Sequence, residues 1–137
     1  MKQFYSLSRF PGKVGETNYT KFFNLNQVPY TYTALKCEDI AQEFDALKSK
    51  QAAGISISMP FKPAIIPLLD SHDKLVAQFN SCNTVVRDIY GRYVGYNTDY
   101  YGVAATIERL PLGPITILGH GSIGRMFSQL LGDRAVV

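Results

Sequence analysis

Short apolar runs of strand type alternate along this chain with stretches whose apolar residues recur at helical spacing. Residues 3–7 read as a strand, Pro11-Gly12 as a turn, and residues 16–26 as a helix that buries Tyr19, Phe22 and Phe23. Tyr30-Thr31-Tyr32-Thr33 is aromatic and β-branched, which predicts a second strand. Residues 38–50 carry Ile40, Phe44 and Leu47 at helical spacing, with acidic residues in the first turn and lysines in the last, as the helix dipole favours. Residues 54–58 predict a third strand, which ends at Pro60 because proline has no N–H to give the ladder. Lys62 then falls at the carboxyl end of that strand or in the first turn beyond it.

Residues 74–80 read as helical, and 84–87 with 92–96 flank Tyr90-Gly91 as a hairpin. Thr98 is placed to cap a helix over 99–110. Pro111-Leu112-Gly113-Pro114 then interrupts the pattern, so we divide the chain there into residues 1–110 and 111–137. Beyond the break come a strand over 115–118, a glycine-rich turn, a helix over 122–131 and a strand over 135–137. Strands alternating with helices predict an α/β fold, a mostly parallel sheet with flanking helices whose carboxyl edge gathers ligands.

Three polar clusters interrupt this apolar background: Ser58-Met59-Pro60-Phe61-Lys62, Ser81-Cys82-Asn83-Thr84 and Tyr96-Asn97-Thr98-Asp99. Each adjoins a strand-like run, where side chains can converge on one rim of a sheet. A lysine and a carboxylate on one hydroxyl set each other's charge state and can move its proton, which makes Lys62 and Asp99 the candidate acid/base pair. Taken singly, Lys62 reads more readily as a solvated lysine and Asp99 as decoration of a helix start. Asn83 and Thr98 can bind ring hydroxyls, or shape a turn and cap a helix. Ser6 and Ser8 lie two apart on a strand, so their hydroxyls share a face and can grip a carboxylate, or form a polar strand edge.

Gly119-His120-Gly121-Ser122-Ile123-Gly124 follows an apolar strand and opens a helix, which is the setting of a dinucleotide fingerprint and the first β-α unit of a Rossmann-type domain. Gly119 would make the tight turn, Gly121 would admit a pyrophosphate to the backbone, Gly124 would let helix and strand pack, and Ser122 and Ile123 would open the phosphate-binding helix. The plain alternative is a glycine turn between any strand and helix. The unit reaches only its second strand at Val137, short of the residue that meets an adenosine ribose, so weak cofactor binding is expected of this chain.

Together these motifs resemble the shikimate dehydrogenase family. Ser58-Met59-Pro60-Phe61-Lys62 is similar to its Thr-x-Pro-His-Lys, Cys82-Asn83-Thr84-Val85 to its Val-Asn-Thr, residues 95–102 to its Gly-x-Asn-Thr-Asp-x-x-Gly, and Ser6-Leu7-Ser8 to its Ser-x-Ser. Phe61 stands where the pattern has His, and Arg9-Phe10-Pro11 replaces the usual proline; the Met-Pro-Phe-Lys form is closer to shikimate-dehydrogenase-like paralogues. The resemblance implies a substrate domain over 1–110 and the start of an NAD(P)-binding domain over 111–137. It also implies catalysis by Lys62 and Asp99, with substrate contacts from Ser6, Ser8, Lys62, Asn83, Thr98 and Asp99. The reaction implied exchanges hydride with NADP or NAD and interconverts a ring hydroxyl and a ketone on shikimate, quinate or a similar cyclic acid, in aromatic amino acid biosynthesis. Its rivals are a non-catalytic substrate-binding fragment and a structural partner that completes another chain.

Composition narrows the classes further. The 137 residues are 46% hydrophobic and 18% charged, a globular balance. The net charge of +3 is scattered rather than gathered into a nucleic-acid stripe. Cys37 and Cys82 lack metal-ligand spacing and read as free thiols of a reducing compartment, and His72 and His120 are isolated, so no metal is assigned. No signal peptide and no apolar run of roughly 20 residues is present, which points to the cytoplasm rather than a membrane. The strand over 115–118, apolar on both sides with little to cover it, predicts a mobile or self-associating carboxyl-terminal unit.

Overall fold

Tyr5 and Leu7 are buried while Ser6 and Ser8 stay half-exposed on the opposite face, and this alternation along the first strand organises the computed structural model, which describes residues 1–137. In chain order the elements are β1 (Lys2–Ser8), α1 (Val14–Leu25), β2 (Tyr30–Lys36), α2 (Ile40–Ser49), β3 (Gly54–Ile57), β4 (Ser71–His72), α3 (Lys74–Phe79), β5 (Thr84–Arg87), β6 (Tyr93–Tyr96), α4 (Asp99–Ile107), β7 (Ile115–Thr116), α5 (Ser122–Leu131) and β8 (Ala135–Val136). Six strands form one sheet in the order β2-β1-β3-β5-β6-β4, and β7 with β8 forms a second. β1 runs parallel to β2 and β3, and β4 parallel to β6, whereas β5 is antiparallel to β3 and β6. The fold is thus α/β with a largely parallel central sheet, as the alternation of elements predicts.

The core lies on the Tyr5 and Leu7 face. Ile55 and Ile57 of β3, Val85 of β5 and Tyr93 of β6 meet Phe44 and Leu47 of α2 there, with Phe61, Ile65 and Val76 filling the rest. Asp39 starts α2 by accepting hydrogen bonds from the N–H groups of Ala41 and Gln42, so the helix begins two residues later than its acidic stretch suggests. On the other face α1 lies over β1 and β2, where Tyr19 stacks on Tyr32 with ring centres 4.5 Å apart. The expectation that α1 buries Tyr19, Phe22 and Phe23 needs correcting. Only Phe23 is buried, packed on Phe4 and Tyr30, while Tyr19 covers Tyr32 with one face and stays 47% exposed and Phe22 is 57% exposed. Glu16 Oε2 accepts from Ala34 N–H at 2.8 Å and fastens this helix to β2.

The carboxyl-terminal unit also departs from expectation. β7 has two residues rather than four, because its partner β8 is equally short; Ile117 N–H still reaches Val136 O, but Leu118 is 94% exposed. Its helix finds cover within its own chain: Met126 and Leu131 are buried, and Met126 packs with Leu75 and Phe79 of α3 and Val103 of α4. No helix is long and apolar enough to cross a membrane.

Candidate functional site

The segment after β3 is shaped so that one side feeds the core and the other a cleft. Ser58 N–H donates to Leu7 O, the Met59–Pro60 peptide is cis, and Phe61 N–H returns to Ser58 O. Phe61 is then buried among the core residues, and Lys62 O accepts from Cys82 N–H. The residue that departs from the His of the resembled motif is therefore an apolar anchor for the segment. Lys62, next in sequence, sends its ammonium to Asp99, with Nζ donating to Oδ2 at 2.7 Å. Both side chains are largely shielded, 13% and 24% exposed, so the solvated-lysine reading does not describe this site.

Asn83 binds the pair to the turn between β6 and α4. Its Nδ2 donates to Thr98 Oγ1 at 2.8 Å and to Asp99 Oδ1 at 3.0 Å, and its Oδ1 accepts from Thr98 N–H at 2.8 Å. Thr98 sits at the start of α4 but does not cap it with its side chain; Asn97 Oδ1 accepts from Tyr100 N–H instead. This corrects the capping role given to Thr98. Its hydroxyl is turned to Asn83 and Thr84, which an amide one residue earlier makes affordable by taking over the first turn of the helix. Asn97 itself is 1% exposed and was not singled out from sequence, since an Asn before a Thr-Asp pair is an unremarkable cap candidate.

Ser6 belongs to the same face of the sheet. Strand register sets it opposite Ser56, Ser56 opposite Thr84 and Thr84 opposite Tyr96, a polar row on the side away from the core. Ser8 lies two residues further toward the carboxyl end of β1, where its Oγ accepts from Phe10 N–H at 3.2 Å. Lys62, Asn83, Thr98 and Asp99 thus form one hydrogen-bonded network. The two serines share its sheet face without a bond to it.

Across from Lys62 stands the glycine turn. A cleft of about 480 Å³ has Ser58, Met59 and Lys62 on one wall and Gly119, Gly121 and Ser122 on the other. Gly119 takes φ +109°, and a Cβ on Gly124 would lie 2.1 Å from Gly119 O, so both positions require glycine. At Gly121 the nearest atom to a would-be Cβ is Met59 Sδ at 4.0 Å, which leaves room for a ligand against the backbone. α5 opens after Gly121 with no side-chain cap, so the N–H groups of its first turn, including Ser122, Ile123 and Gly124, are presented to the cleft end of the helix. These residues fit a phosphate-bearing dinucleotide. Ser58 and Met59 were named from sequence only as neighbours of Lys62; their position at the end of a strand facing a glycine turn was the available signal.

Cys82 is fully buried, donates weakly to Thr84 O, and has its thiol pushed up to about 11 by burial, which makes it a packing residue and not a nucleophile. His72 and His120 are exposed, and no three His, Cys, Asp or Glu side chains gather as a metal site would need.

Residues 17–85 match the family described as the shikimate dehydrogenase substrate binding domain. The shikimate dehydrogenase-like protein of Haemophilus influenzae is 31% identical over 120 residues, which cover 87% of this chain and 44% of that protein. The quinate/shikimate dehydrogenase (NAD(+)) of Corynebacterium efficiens is 39% identical over 96 residues, 67% of this chain and 34% of that one. Among solved structures, shikimate dehydrogenase from Aquifex aeolicus matches with a TM-score of 0.78 at 26% identity, covering 98% of this chain and 53% of that one. The chain spans less than half the length of these curated relatives.

Proposed function

Because the chain belongs to the shikimate dehydrogenase family, whose substrate binding domain its residues 17–85 match, we propose that it supplies the substrate-binding part of an NAD(P)-dependent oxidoreductase acting on shikimate, quinate or a similar cyclic hydroxy acid. The observation that carries this reading is the shielded contact between Lys62 and Asp99 at 2.7 Å, on the rim that also holds Asn83 and Thr98. In this reading residues 1–110 form the substrate domain and 111–137 begin the nucleotide domain.

The bound dinucleotide, NADP or NAD, would take up the hydride from the ring carbon that bears the reacting hydroxyl. Lys62 and Asp99 hold that hydroxyl between them. Asp99, with acceptor positions left on both oxygens, receives the proton as the carbon–oxygen double bond forms, and the Lys62 N–H groups stabilise the charge on the oxygen. In the reverse direction the same pair returns the proton to the carbonyl oxygen. Ser6 and Ser8 receive the acid's carboxylate, and Asn83 and Thr98 the remaining ring hydroxyls. Gly119, Gly121, Ser122, Ile123 and Gly124 hold the pyrophosphate at the start of α5. A cytoplasmic setting in aromatic amino acid biosynthesis goes with this reading.

A second reading keeps the ligand and drops the turnover: a substrate-binding fragment that catalyses nothing by itself. It is favoured by the brief β7–β8 sheet, with two residues paired on each strand beside the glycine turn. Titrating the 137-residue chain with shikimate and with quinate, followed by two-dimensional NMR, tests both. Weak binding is expected, with shifts at Ser6, Ser8, Lys62, Asn83, Thr98 and Asp99; shifts confined elsewhere, or none at millimolar ligand, refute the site. Oxidation of either acid with NADP or NAD by the same chain separates the enzyme from the fragment.

A further inference from the structure

Asn83 is committed more fully than a ligand-binding amide usually is. Its two N–H groups go to Thr98 Oγ1 and Asp99 Oδ1, and its carbonyl accepts from Thr98 N–H. A side-chain amide has two donors and one carbonyl acceptor, so Asn83 meets any further ligand only as an acceptor. The neutral donor left on this part of the rim is the Thr98 hydroxyl. Having accepted from Asn83, that hydroxyl has one hydrogen and one acceptor position left, and Thr84 Oγ1 stands 3.2 Å away with either atom able to donate.

Two arrangements satisfy the pair. If Thr98 gives its hydrogen to Thr84, it offers a ligand no donor. If Thr84 gives its hydrogen to Thr98, both acceptor positions of Thr98 are filled and its own hydrogen is free for a ligand at the exposed rim. The second arrangement gains a bond when a ligand oxygen arrives and breaks none. The scaffold favours Thr84 as the fixed member: it is half-buried on β5, held between β3 and β6, whereas Thr98 is exposed at a helix start.

We propose that Thr84 is a positioning residue, whose hydroxyl fixes Thr98 as a hydrogen-bond donor toward an oxygen of the bound cyclic hydroxy acid. This rests on the reading that such an acid binds at the rim of Lys62, Asn83, Thr98 and Asp99, and it adds a direction to the hydrogen bonding there. Asn83 accepts from one ring hydroxyl, and Thr98 donates to a ring oxygen. The rim therefore selects a ligand that presents a donor and an acceptor side by side, as vicinal ring hydroxyls do.

The test is calorimetric or NMR titration of the 137-residue chain with shikimate and quinate, in the native form and as Thr84→Val, Thr84→Ala, Thr84→Ser, Thr98→Val and the Thr84→Val/Thr98→Val double variant. Thermal midpoints identify variants that remain folded. Thr84→Val and Thr84→Ala should each weaken binding by about two- to fivefold, because the Thr98 hydroxyl loses the partner that orients it, with the worth of one hydrogen bond as the upper limit. Thr84→Ser should restore it, and Thr84→Val should cost nothing further once Thr98 is Val. Unchanged affinity in Thr84→Val and Thr84→Ala overturns the proposal, as does a loss that Ser fails to rescue or an equal loss in the Thr98→Val background. A native chain that binds neither acid overturns the proposed binding of such an acid and this proposal together, whereas native binding with insensitive Thr84 variants overturns the proposal alone.

Discussion

Lys62 Nζ lies 2.7 Å from Asp99 Oδ2, a contact between residues 37 positions apart that closes the carboxyl end of β3 onto the first turn of α4. Asp99 is held from a second side by Asn83, so its carboxylate is oriented before any ligand arrives. In a form of the protein that turns over shikimate or quinate, Lys62→Ala should lower kcat by about 10² to 10⁴ and change KM far less. Asp99→Asn should damage both, because the amide turns one acceptor into a donor that faces Lys62. Steady-state kinetics decides, and a Lys62→Ala enzyme with native kcat would remove the lysine from the mechanism.

Phe61 is 6% exposed within the main core cluster, so the aromatic ring is a structural element of the loop that carries Lys62. Phe61→His, which restores the residue type of the resembled motif, should cost roughly 2 to 4 kcal/mol by removing apolar surface and burying a polar ring. Urea unfolding measures it. Stability equal to the native chain would show that the pocket around residue 61 tolerates an imidazole.

Two glycines should respond oppositely to alanine. A methyl at Gly95 would lie 2.4 Å from Leu69 Cδ1 and 2.9 Å from Cys82 Sγ, and Gly95→Ala should destabilise by about 1 to 3 kcal/mol through overpacking. Gly102, inside α4, has nothing within 4 Å of such a methyl, and Gly102→Ala should stabilise by about 0.5 to 1 kcal/mol through helix propensity. Thermal or urea unfolding of both variants reads the opposite signs directly.

Burial pushes the Cys82 thiol from an ordinary 9.0 to about 11. A folded-state value above the unfolded one means that the native chain holds the proton more tightly, so this contribution is complete below about pH 9 and is lost as pH rises toward 11. The loss amounts to at most ~2 to 3 kcal/mol. Burial raises Cys37 and Tyr93 as well, which adds to the same trend. Unfolding free energies at neutral and strongly alkaline pH should show the decline, with a shallower slope in Cys82→Ala; an equal slope would assign the decline to other groups.

Much of this arrangement was legible in the sequence where local chemistry decides it. The end of β3 shortly before Pro60, the acidic first turn and basic last turn of α2, and the glycine turn before α5 all follow from residue types at short range. Lys62 and Asp99 were legible as a pair only through motif resemblance, since nothing in the spacing of two residues shows that β3 and α4 meet. β4 was not legible: its two residues are a strand only because β6 lies beside them. Thr98 was misread as a side-chain cap for the same reason, because its hydroxyl is claimed by Asn83 and Thr84 from a strand that sequence cannot place beside it.

Glu16 has a consequence for how this sheet meets other molecules. β2 is its outer strand, and the Ala34 N–H near the middle of that strand is already spoken for by the Glu16 carboxylate. A further strand approaching there would have to displace a charged side chain to gain a backbone bond, so the sheet is closed to extension on this flank. Recruitment of a neighbouring chain is left to the opposite flank at β4 or to the open edges of β7 and β8, and the two ends of the molecule differ in their capacity to grow.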